Sequence, residues 1–150
     1  MKKQPNSDHC FVCGRHNPIG LQMRFFAGDD GCVYAEYTPR PEHQSYPGTM
    51  HGGLITAMLD ELIGRTAIAS NLWCVTGALN VRFKKPVPIG ETVQLKGEIT
   101  KQTRRALEGR GEIRLADGSL AVEATGTYIR IPDAQLAQYQ NALDGWRVDE

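Results

Sequence analysis

The chain has 150 residues, 41% of them hydrophobic and 23% charged, which suits one compact domain with a substantial apolar core. Seventeen basic residues balance seventeen acidic ones. That neutrality speaks against nucleic acid as a main partner, because a phosphate backbone is normally met by net positive charge. The two lysines at the start have no apolar run behind them, so no secretory signal is expected. The longest apolar stretch, 53–69, is broken by Asp60, Glu61 and Arg65, so no membrane span is expected either. Cys10, Cys13, Cys32 and Cys74 are scattered through a domain large enough to need no staples, which points to a reduced, cytoplasmic setting.

In chain order, Asn17-Pro18-Ile19-Gly20 is a turn. Residues 21–26 and 32–37 alternate as two strands joined by the hairpin turn Gly28-Asp29-Asp30-Gly31. Residues 38–50 carry three prolines and a glycine and form a loop long enough to suggest a function. From Gly52 to about Asn71, apolar residues surround the axis of a long helix, the mark of a buried one. Four strand-like runs follow, 74–84, 92–101, 105–115 and 120–131, whose short separators imply an antiparallel meander. Two strands, one helix and four strands make an α+β domain whose sheet must curl around the helix. Residues 133–143 read as a polar terminal helix. The whole of 1–150 is one domain, with 1–19 an extension carrying a Cys-x-x-Cys turn and 132–150 a polar helix and tail.

The informative segment runs from Tyr46 to Gly64. Two glycines opening a buried helix each cost about 1 kcal/mol relative to alanine, so a task should offset them. The first N–H groups of a helix lack internal partners and sit at its positive end, and glycine lets a ligand approach them. Gly52 and Gly53 therefore make a place for a developing negative oxygen. Asp60, mid-helix among Leu and Met, needs a partner or a role, and a general base is the natural one. Glu61 has Arg65 at i+4 as an ordinary surface partner. Eight residues at about 1.5 Å rise put Gly52 roughly 12 Å from Asp60. No single carbonyl touches both, so a shared reaction calls for a symmetric dimer in which the two come from different chains.

His51-Gly52-Gly53 followed by Leu59-Asp60-Glu61, within this element order, resembles the hot-dog-fold thioesterases, and most of all the PaaI-like and 4-hydroxybenzoyl-CoA thioesterase branch. The resemblance extends from Cys10 to about Arg130 and includes Tyr46-Pro-Gly and the run from Leu79-Asn80 to Gly90-Glu91. It implies a hot-dog fold, a curved antiparallel sheet wrapped around one long helix, and hydrolysis of acyl-CoA to free acid and CoA. It further implies Asp60 as general base or nucleophile, the Gly52 N–H as donor to the thioester oxygen, His51 orienting the carbonyl and Thr76 helping to hold the water. Some members carry a polar amide six residues before the histidine. This chain has Ser45 there with Gln44 beside it, and the roles of both stay open.

No metal is required, and coenzyme A enters as part of the substrate rather than as a cofactor. His9, Cys10, Cys13 and His16 invite a zinc reading, but four ligands within eight residues would strain a tetrahedron, so the turn is read as a structural knuckle. Arg104, Arg105 and Lys84 are candidates for the phosphates of coenzyme A, and Tyr46, Met50, Met58 and Trp73 for the acyl pocket. A homodimer, or a tetramer of two dimers, is expected. The competing reading is a non-catalytic acyl-CoA or fatty-acid binding module. Hot-dog hydratases pair an Asp with a following His, and no histidine follows His51, which disfavours that chemistry.

Overall fold

The structure, a computed structural model, describes residues 1–139 and 145–149. Helix α1 (Gly52–Ile68) packs on one face of a seven-stranded sheet made of β1 (Lys2–Lys3), β2 (Phe26–Ala27), β3 (Val33–Tyr37), β4 (Cys74–Phe83), β5 (Val93–Gln102), β6 (Ala106–Arg114) and β7 (Leu120–Arg130). The strand order is β1-β2-β3-β5-β6-β7-β4, with every neighbouring pair antiparallel. Five strands, β3 to β7, reach α1, as they do when a sheet curls around a helix. The core lies between them and includes Ile55, Met58, Leu59, Leu62 and Ile63 of α1 against Leu95, Leu107, Ile113 and Val122 of the sheet.

Two features differ from the sequence expectation. The stretch 21–26 is a strand only at Phe26, because Gln22 adopts a left-handed φ of 53° that breaks an extended run. Leu21 and Met23 instead donate their N–H groups to Phe11 and Val12 of the N-terminal turn, and Gln4 bonds to Phe25. The start of the chain is thus stitched into the sheet. The second difference concerns β4, which does not continue the meander into β5. It pairs with β7 and forms the far edge of the sheet, leaving β5-β6-β7 as the meander.

The reason lies in the connection from β4 to β5. Pro86 and Pro88 cannot donate to a ladder, and the segment pairs with the 38–50 loop instead of turning back. Met50 N–H donates to Val87 O, Ile89 N–H to Gly48 O and Gly90 N–H to Pro39 O, with Val87 fully buried. This clamp fixes the backbone immediately before Gly52. At the other end of the chain, α2 spans only Asp133–Leu136, followed by a 3-10 turn at Ala137–Tyr139. The remainder of the expected terminal helix, 140–143, lies outside the described residues.

Helix and sheet approach closely because glycines replace side chains on the strands beneath α1. A Cβ at Gly109 would sit 2.6 Å from Ile63 Cγ2 and 3.0 Å from the Glu98 carbonyl oxygen. One at Gly111 would crowd Leu59, Leu62 and Ile63 together at 3.1–3.2 Å. Gly109→Ala is therefore expected to cost about 1–3 kcal/mol and to lower the thermal midpoint by several degrees. An unchanged midpoint in a calorimetric scan would contradict this packing.

Candidate functional site

The start of α1 is shaped by its cap. His51 is extended (φ −62°, ψ 129°), donates its N–H to His43 O, and accepts the Gly53 N–H on its ring Nδ1 at 2.9 Å. The two glycines suggested as oxyanion donors therefore differ. The Gly53 N–H is taken up by the histidine ring, whereas the Gly52 N–H has no hydrogen-bond partner among the described residues. His51 combines a capping role with an exposed ring beside that free N–H.

Two turns along the same helix, the Asp60 carboxylate is held by residues from two strands. Thr76 on β4 donates its hydroxyl to Oδ1 at 2.8 Å, and the Tyr128 hydroxyl on β7 lies 3.0 Å from the same oxygen and 3.1 Å from the Asp60 carbonyl oxygen. The register explains the convergence. Thr76 pairs directly with Tyr128, so both side chains point to the helix face of the sheet. Burial and the neighbouring Asp60 carboxylate push the Tyr128 hydroxyl well above the usual tyrosine range, so it stays protonated and remains a donor. Both donors address Oδ1, and Oδ2 is left without a partner among the described residues.

Asp60 is not sealed inside the molecule as a helix apolar on all sides would suggest. Ile55, Met58, Leu59, Leu62 and Ile63 form the buried stripe, while Gly53, Thr56, Ala57, Asp60 and Gly64 form a second, partly open stripe facing the β4 edge. Both ends of the site lie along that edge. Thr76 meets Asp60 near one end of β4, and Phe83 at the other end lies 3.5 Å from where a Gly52 Cβ would be. Beside Asp60 a shallow depression is bounded by Gly64, Ile68, Trp73 and Trp146, the two indoles meeting edge to face at 5.4 Å.

The other residues singled out from the sequence are dispersed. Gln44 turns its side chain onto its own loop, accepting the Gly48 N–H at 2.8 Å, and Ser45 and the exposed Tyr46 belong to the same hairpin-like turn. Met50 and Met58 are core residues rather than pocket lining. Arg104 and Arg105 are exposed at the β5–β6 hairpin, and Lys84 pairs with Glu123 at 3.3 Å. Tyr128 is the site residue that the sequence reading missed; a tyrosine in an alternating strand carries no local sign that it faces a carboxylate 68 residues away.

Glu61 and Arg65 also require a correction. They do pair, Nε to Oε1 at 2.9 Å, but this is no surface pair, because Arg65 is only 1% exposed. Its guanidinium donates to Pro5 O at 2.8 Å and Asn6 Oδ1 at 3.2 Å and stacks over the Phe25 ring at 4.3 Å. Burial lifts the Glu61 carboxyl to about 7, against the pull of Arg65. The neighbour of Asp60 thus anchors the N-terminal segment to α1.

Comparison with known proteins agrees with this architecture. Residues 47–122, from the loop before α1 into β7, match the family model described as "Thioesterase superfamily". The chain belongs to the thioesterase superfamily. Acyl-coenzyme A thioesterase THEM4 from Bos taurus is 28% identical over 123 residues, covering 81% of this chain and 51% of that protein. The Xenopus laevis THEM4 is 32% identical over 96 residues, 63% of this chain and 43% of that one. This chain therefore spans about half the length of these relatives. Among solved structures, a thioesterase superfamily protein superposes with a TM-score of 0.76 at 28% identity, over 80% of this chain and 62% of that one. The Escherichia coli PaaI protein from the phenylacetic acid degradation operon (TM-score 0.70, 19% identity, 75% of this chain and 81% of that one) shares the hot-dog fold. So does a Streptococcus pneumoniae hypothetical thioesterase solved with coenzyme A (TM-score 0.69, 23% identity, 73% and 85%).

Because Arg65 joins Glu61, Pro5 and Asn6 in a buried network, Arg65→Ala leaves a carboxylate and two acceptors without their partner. A loss of about 3–5 kcal/mol in urea unfolding is expected. A loss under about 1 kcal/mol would mean that the network is not structural.

Proposed function

We propose that this chain hydrolyses acyl-CoA thioesters to the free acid and coenzyme A, working as a homodimer with two composite sites. The observation that carries the reading is the asymmetric hold on Asp60. Thr76 and Tyr128 fix Oδ1 and leave Oδ2 free, the arrangement a carboxylate needs to take a proton from water or to attack a carbonyl. Such a base has to be aimed at a polarised carbonyl, and the Gly52 N–H is a donor with no competing partner among the described residues. Relatives named acyl-coenzyme A thioesterases, and a fold neighbour solved with coenzyme A, favour the same substrate class.

The sheet edge supports the dimer. β4 offers ten residues with an unpaired side, and Val75 and Phe83 along it are more than half exposed. Such an edge invites pairing with a second copy. An antiparallel pair with its two-fold axis near Leu79 and Asn80 sets Thr76 of one chain opposite Phe83 of the partner subunit. Thr76 accompanies Asp60, and Phe83 accompanies Gly52. The pairing therefore brings Asp60 of one chain to Gly52 of the partner subunit, and does so twice by symmetry.

Within each composite site the Gly52 N–H of the partner subunit takes the thioester oxygen as it gains negative charge, an effect worth about 10²–10³ in rate for one such donor. Asp60 Oδ2 either accepts the proton of a water attacking the thioester carbon, after which the C–S bond breaks and the coenzyme A thiolate leaves and is protonated, or attacks that carbon itself, expelling the thiolate and giving a mixed anhydride that water then opens to the free acid and the Asp60 carboxylate. His51 presents its exposed ring at the same helix start. The phosphates of coenzyme A are assigned to Arg104, Arg105 and Lys84, of which Lys84 already shares its charge with Glu123. Gln44, Ser45 and Tyr46 form the loop beside the entrance of the helix and are assigned to substrate contact.

The test is thiol release over a panel of aryl and aliphatic acyl-CoAs. Asp60→Asn should lower kcat at least about 100-fold. Tyr128→Phe, which removes one donor to Oδ1 without changing shape, should lower it about tenfold. Full activity in Asp60→Asn would overturn the proposal. Tight coenzyme A binding with no thiol release from any substrate would favour the non-catalytic binding module.

A further inference from the structure

A second cluster lies outside the proposed site. Cys10 and Cys13 of the N-terminal turn and Glu61 of α1 bring Sγ, Sγ and a carboxylate oxygen to within 4.8 Å of one another. We propose that Cys10, Cys13 and Glu61 form a three-ligand site for zinc that pins the N-terminal turn to the helix turn carrying Asp60. His9 and His16, which the spacing alone would have recruited, lie outside the cluster. The third donor comes instead from a residue 51 positions along the chain, which relieves the crowding that four ligands in eight residues would impose.

The geometry matches the metal. A zinc ion about 2.3 Å from sulfur and 2.0–2.2 Å from carboxylate oxygen, in a tetrahedron, sets the sulfur and oxygen about 3.6 Å apart. Cys10 Sγ and Glu61 Oε2 are 3.7 Å apart. The carboxylate is already divided as a metal ligand requires. Oε1 is held by Arg65 Nε at 2.9 Å, and Oε2 faces the thiol. Two thiolates and one carboxylate carry three negative charges, balanced by one divalent cation and the buried Arg65 guanidinium. The N-terminal turn is preformed. Gly14 N–H donates to Cys10 O at 2.8 Å, and a Cβ at Gly14 would lie 2.3 Å from that oxygen, so only glycine closes the loop after the second cysteine.

Binding would displace both thiol protons to solvent, with water completing the tetrahedron at the fourth position. The expected role is structural. The metal would hold Glu61 and hence the helix turn on which Asp60 sits, independently of the reaction proposed above.

The probe is cobalt(II) added to the full chain after reduction and chelator treatment. One equivalent should bind and produce thiolate-to-cobalt charge-transfer bands with visible bands of tetrahedral cobalt, all erased by zinc. Zinc in excess should also raise the thermal midpoint, since a ligand that binds only the folded chain stabilises it. Cys13 is wholly buried, so Cys10→Ser, at a half-buried position, is the variant to use; it should remove part of the charge-transfer intensity and weaken binding at least about tenfold. Glu61→Gln should weaken cobalt while keeping the sulfur bands. Absence of cobalt uptake by the reduced wild-type chain, or uptake unaltered by Cys10→Ser, would overturn the proposal. So would a Cys10–Cys13 disulfide in the purified chain whose reduction yields no metal binding.

Discussion

Eight residues of α-helix separate the Gly52 N–H from the Asp60 carboxylate, and at 1.5 Å per residue that is about 12 Å, a span no thioester carbonyl bridges. Because the helix is rigid, the two groups cannot be brought together by local adjustment. They can be brought together only by a second helix. On the reading proposed above, the sheet edge answers that constraint. β4 is placed at the sheet edge beside the partly open stripe of α1, with Thr76 near Asp60 and Phe83 near Gly52. The proline-containing connection after β4 makes this placement possible, since it forgoes the hairpin and ties the chain to the loop before the helix.

Rigidity of the helix is reinforced from outside the sheet. The strand glycines Gly97, Gly109 and Gly111 let α1 sit close upon β5 and β6, and Arg65 binds the N-terminal segment to the far side of the helix. Adjacent acidic residues are thereby given opposite work. Asp60 keeps one oxygen unpartnered among the described residues at the open stripe, while Glu61, one step around the helix, is enclosed by Arg65 and Cys10. A helix turns about 100° per residue, so neighbouring carboxylates on one helix face different surroundings, and their tasks diverge.

Much of this was legible in the sequence where the signal is local. The glycine pair, the mid-helix aspartate and their spacing follow from helix periodicity, and the last three strands and their turns from alternation and turn residues. What was not legible depends on register or on distant partners. Tyr128 reaches Asp60 only because β7 pairs with β4 in the register that sets it opposite Thr76. The 84–92 segment resembles a hairpin connection until its backbone is seen bonded to Gly48, Met50 and Pro39. Arg65 reads as a surface partner at i+4, since nothing in the helix reveals that Pro5 and Asn6 will cover it. Gln22, an ordinary residue with a left-handed backbone, interrupted a strand that alternation supported.

The central claim, that base and oxyanion donor come from different chains, is tested most directly by mixing two inactive variants. Gly52→Pro removes the N–H at the first helical position, where proline is tolerated, and His51 already has the extended backbone that a following proline requires. Asp60→Asn removes the proposed base. If the sites are composite, a mixed dimer regains one intact site, and equal mixing after denaturation and refolding should restore about a quarter of wild-type activity. Mixtures that remain as inactive as either variant alone, while mixed dimers demonstrably form, would contradict the account.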